Sequence, residues 1–127
     1  MAVTVDEERF EQLVSEALDQ IPDELAVRME NVAVLTADRP SADQARHGRS
    51  ASGRTLLGLY EGISLTRRSP SSYTAVMPDR ITVFRDAHCR VARDEDDLRR
   101  RVAHTVIHEI AHHFGISDDR LRELDAY

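Results

Sequence analysis

The stretch His108-Glu109-Ile110-Ala111-His112 decides how this chain is interpreted. Residues four apart lie on one face of an α-helix, so His108 and His112 can direct their imidazoles at a single metal ion. Glu109 lies about 100° around the helix axis from His108, where its carboxylate can reach a water on that ion without becoming a ligand. The pattern therefore predicts a helix that carries a metal site.

Gly115 and Asp118 extend this pattern. Gly115 can adopt the left-handed conformation that ends a helix and turns the chain back. Asp118 can then supply a carboxylate oxygen as a third ligand, with Asp119 as the alternative if the turn is one residue longer. Three protein ligands and one open position are typical of a catalytic zinc site rather than a structural one. The predicted ligands are His108, His112 and Asp118.

The surrounding sequence predicts one helix from about Asp96 to Phe114, with acidic residues at its start and Gly115 at its end. Its apolar residues fall on one broad arc at helical spacing. His104, His108 and His112 lie on the opposite side. An ordinary solvated face is the alternative, but the other polar faces of this chain consist of Arg, Asp and Glu. The row of histidines therefore favours a metal site.

At these residues the chain resembles the zincin-type metallopeptidases, and more closely their small bacterial members with little beyond a minimal zincin core. Residues 56–65 resemble that family's central strand and turn, residues 79–85 the strand before its active helix, and the similarity covers about residues 5–125. The resemblance implies an α+β fold in which a small mixed β-sheet packs against an N-terminal helix and the motif helix. It also implies one zinc metallopeptidase domain over residues 1–127, with Glu109 as the general base and His108, His112 and Asp118 as ligands.

Two better-known subclasses are excluded by counting residues. A metzincin needs a methionine downstream of its third ligand, and the only methionines are Met1, Met29 and Met77. A thermolysin-like enzyme takes a glutamate ligand from a helix well downstream, and Glu123 is the only glutamate in that direction. Asp118 therefore remains the preferred third ligand.

The rest of the chain predicts few further elements. Apolar residues at helical spacing predict a first helix over Asp6–Gln20, followed by a short helical turn after Pro22. Three strands are predicted: 31–36, buried on both faces; 55–60, weakened by Gly58; and 80–84. A last helical turn is predicted over 118–126. Residues 37–54, rich in Ser, Ala, Gly and Arg, predict an irregular loop, either a solvated connection or a basic flap for an acidic partner. Residues 67–72 predict an exposed turn.

Several single residues leave alternatives open. His104 can be a hydrogen-bond partner of a ligand, an added ligand or an exposed side chain, and His113 is expected to be packed or exposed. His88 and Cys89 are expected on an extended segment, where neighbours point to opposite faces and do not form a nucleophile pair. Tyr60 and Tyr73 are candidate oxyanion donors, although a core position is the default for Tyr60.

Composition excludes several classes of protein. A chain of 127 residues with a net charge of −6 fits one domain and argues against a general nucleic-acid binder, and no apolar run is long enough to cross a membrane. All 17 basic residues are arginine, so no lysine can act as a base. The single cysteine, Cys89, and the acidic start without an apolar segment favour the cytoplasm.

The function expected from these residues is zinc-dependent hydrolysis of a peptide or protein substrate. Glu109 accepts the proton of the attacking water and passes it to the leaving amine. The strand 80–85 is expected to present its edge to an extended peptide. The alternative is a metal-binding or interaction module without proteolytic activity, although such a module does not need a base at Glu109. A nucleic-acid-associated regulator working through the Arg-rich loop is disfavoured by the acidity of the chain.

Overall fold

A computed structural model describes residues 3–48, 56–62 and 79–126. Its helices are α1 Glu7–Leu18, α2 Asp23–Ala26 with a 3₁₀ turn over Val27–Met29, α3 Ala42–Gly48, α4 Arg85–Val91, α5 Glu95–Phe114 and α6 Asp118–Glu123. Its strands are β1 Val32–Ala37, β2 Gly58–Glu61 and β3 Asp79–Phe84. These elements form the expected α+β fold with a small mixed sheet.

The three strands lie in the order β1-β3-β2. β3 pairs with β1 in parallel, with Val34 opposite Ile81, and with β2 antiparallel, with Tyr60 opposite Ile81. Two expectations are therefore wrong. β3 is the central strand, so its edges are already paired and cannot receive a substrate peptide. The stretch that resembles the central strand, which contains β2, lies at the side of the described sheet instead.

The expectation that the first strand is buried on both faces is also wrong. Val32 and Val34 pack against the core, whereas Leu35, the residue after Val34, is 46% exposed. The reason is that β1 pairs only with β3 among the described strands, and helices cover one of its faces. The strand with four consecutive buried residues is β3, from Ile81 to Phe84.

The core lies where α1 and α5 pack on each other and α5 packs on β2 and β3. The first helix is close to the predicted one, with Asp6 as N-cap accepting a hydrogen bond from the Arg9 N–H at 2.8 Å. Fully buried side chains come from all of these layers except β2: Phe10, Leu13, Ile81, Val83, Leu98, Val102 and Val106. Burial of these side chains fixes the rotation of α5 about its axis.

Two helices were not expected. The predicted irregular segment contains α3, which begins with a capping box in which Ser41 and Gln44 exchange hydrogen bonds of 3.0 and 3.1 Å. The segment after β3 is the helix α4, not extended chain. Residues 49–54, the exposed turn 67–72 and Tyr73 lie outside the described residues. None of the helices described is long and apolar enough to cross a membrane.

Candidate metal centre

The motif helix α5 has well-formed ends. At its start the Asp94 carboxylate accepts a hydrogen bond from the Asp97 N–H at 2.8 Å, and the Asp97 carboxylate accepts one from the Arg93 N–H at 3.0 Å. At its end Gly115 has φ 68°, in the left-handed region. The Ile116 N–H then donates to the Ala111 carbonyl at 2.8 Å. The predicted end of the helix at Gly115 is confirmed, and the turn that follows it leads directly into α6.

Glu109 lies between α5 and the outer edge of β2. Its Oε1 accepts a hydrogen bond of 2.8 Å from the Tyr60 backbone N–H, which points away from β3. Burial raises the pKa of Glu109, while this hydrogen bond and the nearby His112 and His108 act in the opposite direction. A carboxylate with a raised pKa is better suited to take up a proton near neutral pH. Its Oε2 accepts no hydrogen bond from the described residues.

A close approach of β2 to α5 makes this contact possible. A Cβ placed on Gly58 would lie 2.6 Å from Cγ2 of Thr105 and 3.2 Å from the Thr82 carbonyl oxygen. Thr105 precedes Glu109 by one helical turn and so lies on the same side of α5. Gly58 therefore does more than weaken the strand, because the absence of its side chain lets the β2 backbone reach α5.

His108 has its ring nitrogens oriented in a way that suits metal binding. Its Nδ1 lies 2.9 Å from the His104 carbonyl oxygen. A carbonyl oxygen only accepts, so Nδ1 carries the hydrogen and, in the neutral ring, Nε2 carries a lone pair. Zinc-binding histidines are commonly fixed by this kind of bond to a backbone carbonyl. The Nε2 of His108 lies 3.2 Å from the Nε2 of His104.

The other predicted ligands lie on exposed parts of the same region. His112 is exposed near the end of α5, and Asp118 is exposed in the first turn of α6. Asp119 pairs with Arg122 at 3.2 Å, whereas no hydrogen-bond or ion-pair partner of Asp118 lies in the described part of the chain. Within those residues no three His, Cys, Asp or Glu side chains are grouped so that they could hold a metal ion. The ligand set His108, His112 and Asp118 stays a prediction.

A polar cluster beside Glu109 was not expected. The Tyr60 hydroxyl donates to Oδ2 of Asp79 at 2.7 Å, and its ring stacks on His113 with centroids 3.9 Å apart. Burial, followed by the hydrogen bond to Asp79, raises the pKa of Tyr60, so the phenol keeps its proton. Nε2 of His113 lies 3.9 Å from the same carboxylate oxygen. The sequence indicates only one part of this cluster, because His113 follows Glu109 by four residues and so lies beside it on the helix. Tyr60 and Asp79 are distant from both in the sequence.

His88 links α4 to the same side of α5. The side chain is fully buried, with Nδ1 3.0 Å from the Phe84 carbonyl oxygen and Nε2 2.9 Å from the Thr105 hydroxyl. Burial lowers the pKa of His88. The expected extended segment is wrong here, but a nucleophile pair with Cys89 is still not formed, because both ring nitrogens of His88 are engaged elsewhere.

The Arg-rich segment is partly neutralised by the fold. Arg39 pairs with Asp86 at 2.6 Å, and Arg46 pairs with Asp43 within α3. Its two remaining arginines, Arg49 and Arg54, lie outside the described residues. The part of this segment that can be described therefore offers paired charges rather than a basic flap.

Comparison with known protein families gives a match for the chain. A family model described as zincin-like metallopeptidase matches residues 29–127, which include the three strands, the motif helix and α6. A comparison with curated proteins finds no match. The matched region covers well over half of the chain, and the chain therefore belongs to the zincin-like metallopeptidase family.

Proposed function

We propose that the protein is a zinc-dependent peptidase in which His108, His112 and Asp118 hold the metal and Glu109 is the general base. The observation that carries this proposal is the position of Glu109, which α5 and β2 hold at the edge of the sheet beside the motif histidines. Membership of a metallopeptidase family and the lone pair on Nε2 of His108 support it. Zinc, when bound, supplies an activated water and polarises the substrate carbonyl.

Glu109 performs the proton transfers in this mechanism. Its Oε1 is occupied by the Tyr60 N–H, so Oε2 is the oxygen that takes the proton from the attacking water. The protonated carboxyl then donates to the leaving amine as the peptide bond breaks. Burial raises the pKa of Glu109, which assists the first transfer.

The outer edge of β2 replaces β3 as the proposed docking edge for the substrate. In the described residues β2 pairs with β3 alone, and the Tyr60 N–H on its other side is held by Glu109. An extended peptide that adds its main chain to this edge brings its carbonyl groups next to Glu109. The partner proposed for the site is therefore a peptide or an extended segment of a protein, encountered in the cytoplasm.

A metal-binding module without proteolytic activity is the second candidate. The observation in its favour is that the Tyr60 hydroxyl, a candidate oxyanion donor, is bonded to the Asp79 carboxylate instead. Glu109 speaks against it, because a purely structural metal site needs no partly buried carboxylate beside its ligands.

The test is hydrolysis of a diverse peptide library by zinc-loaded protein, compared with Glu109→Gln. Loss of a general base should reduce hydrolysis by about 100-fold or more, while zinc affinity in calorimetric titration stays close to that of the parent. Glu123→Gln, an exposed glutamate on α6, is the matched control and should keep full activity. His112→Ala should bind zinc more weakly and be inactive.

The outcomes separate the two candidates. Activity that survives Glu109→Gln would show that a contaminating protease or another mechanism is responsible. A parent protein that binds zinc but cuts no peptide in the library would favour the binding module. Zinc binding as tight in His108→Ala and His112→Ala as in the parent would refute the ligand assignment.

A further inference from the structure

His104, His108 and His112 form a row on α5. The Nε2 atoms of His104 and His108 lie within hydrogen-bond distance of each other. We propose that His104 and His108 form a second position for a divalent transition-metal ion, which shares His108 with the proposed catalytic position. The two-histidine position does not depend on the proposed peptidase function. Only the competition for His108 depends on it.

The separation of the two nitrogens suits a shared ion. Nε2 of His104 and Nε2 of His108 are 3.2 Å apart. Two imidazole nitrogens bound to one tetrahedral zinc, each at about 2.0–2.1 Å, are about 3.3 Å from each other. Both residues lie within the regular part of α5, so no backbone movement is needed for an ion to enter between them.

The hydrogen bonds of the pair show where the ion would enter. Since Nδ1 of His108 donates to the His104 carbonyl, the hydrogen between the two Nε2 atoms belongs to His104. An ion replaces this hydrogen when His104 carries its proton on Nδ1 instead. The carbonyl of His104 continues to orient His108 in either state, as outer partners of metal-binding histidines commonly do.

The surroundings leave the rest of the coordination sphere to water. His104 is exposed and lines an open cavity of about 360 Å³, together with Asp125 and Arg100. The neighbouring Arg101 donates a hydrogen bond to Asp97 at 3.0 Å. With two protein ligands the position is expected to bind more weakly than one with three. Nitrogen ligands favour zinc, nickel or copper over magnesium and calcium.

Sharing of His108 makes the two positions exclude each other. Nε2 of His108 has one lone pair and can serve one ion at a time. An ion held by His104 and His108 therefore leaves His112 and Asp118 without the ligand that they would share with it. The His104 position thus competes with the catalytic one for the same histidine.

The experiment is a zinc titration of the full chain followed by ¹⁵N NMR of the imidazole rings, which reports which ring nitrogens bind. In His112→Ala, zinc should shift Nε2 of His104 and His108 together. The His104→Ala/His112→Ala double variant should bind zinc at least about tenfold more weakly, the lower limit for loss of even an outer partner of a metal site. His113→Gln, on the same helix, is the control and should behave like the parent.

Equal zinc binding by His112→Ala and the double variant, with both folded by circular dichroism, would overturn the proposal. Alanine is the strongest helix former, so these substitutions on an exposed face should preserve α5. His104→Ala alone separates this inference from the peptidase proposal. If the His104→Ala variant no longer binds zinc, the two-histidine position stands and the catalytic ligand set fails. If His104→Ala keeps zinc at His108 and His112 while His112→Ala binds none, the two-histidine position fails and the catalytic set stands.

Discussion

Two rows of residues on α5 differ in how the fold holds them. Thr105, Glu109 and His113 face β2, and each contacts another element: Thr105 binds His88 on α4, Glu109 binds the Tyr60 backbone, and His113 stacks on the Tyr60 ring. In the second row, His104 and His108 bind each other, and His112 is exposed. The proposed base is therefore positioned by tertiary structure, whereas two of the proposed ligands, His112 and Asp118, are exposed.

The largest expected effect comes from closing the gap between β2 and α5. Gly58→Ala places a methyl group against Thr105, whose branched side chain has little freedom to rotate in a helix. Overpacking of this kind should lower the free energy of unfolding by about 1–3 kcal/mol in the metal-free protein. Urea denaturation is the measurement. Gly62→Ala is the control, because its new Cβ would lie 3.7 Å from the nearest atom and should be tolerated.

Removal of the Tyr60 hydroxyl should have a somewhat smaller effect. Tyr60→Phe keeps the ring that stacks on His113 but removes the hydrogen bond to the Asp79 carboxylate. A hydrogen bond to a charged group contributes about 1.5–3 kcal/mol, and partial exposure of this pair places the expected loss near the lower value. Thermal unfolding should show it. Unchanged stability would mean that the Tyr60 hydroxyl does not help to hold the strand beside Glu109.

His88 on α4, which contacts Thr105 on α5, should contribute to the pH dependence of stability. Burial lowers the pKa of His88 in the folded protein. In acid the unfolded chain therefore binds a proton at His88 more readily than the folded chain does. Stability due to His88 is fully present above its unfolded value of 6.5 and is lost as the pH falls below it. Denaturation at pH 7.5 and pH 5 should show a smaller difference for His88→Gln than for the parent. An equal difference in both proteins would exclude His88 as a source of this pH dependence.

The smallest effect is expected in the histidine row. His112→Ala removes an exposed side chain, so metal-free stability should change by no more than about 0.5 kcal/mol. In the presence of zinc the parent should become more stable than His112→Ala, because the parent binds the ion more tightly. An ion bound only to the folded state raises its stability by about 2.7 kcal/mol at 100 times the dissociation constant. Thermal unfolding with and without zinc measures both quantities. A large loss of stability in metal-free His112→Ala would contradict the distinction between the two rows.

What could be predicted from the sequence was mainly local. The extent of α5, its stop at Gly115 and the first helix follow from spacing and capping residues that lie within a few positions of each other. The capping box at Ser41 and Gln44 is equally local and could have predicted α3. The order of the strands could not be predicted, because the alternation within β3 does not identify its neighbours. The contact of Tyr60 with Glu109 joins residues 49 positions apart and depends on that order.

The donor that holds Glu109 belongs to the main chain rather than to a side chain. Nineteen of the twenty common amino acids carry that N–H, and only proline lacks it. The side chain at position 60 can therefore change during evolution without loss of the hydrogen bond to the Glu109 carboxylate, provided that the strand stays in place. Relatives with quite different residues here can share the same arrangement, and a proline at this position would identify one that has lost it.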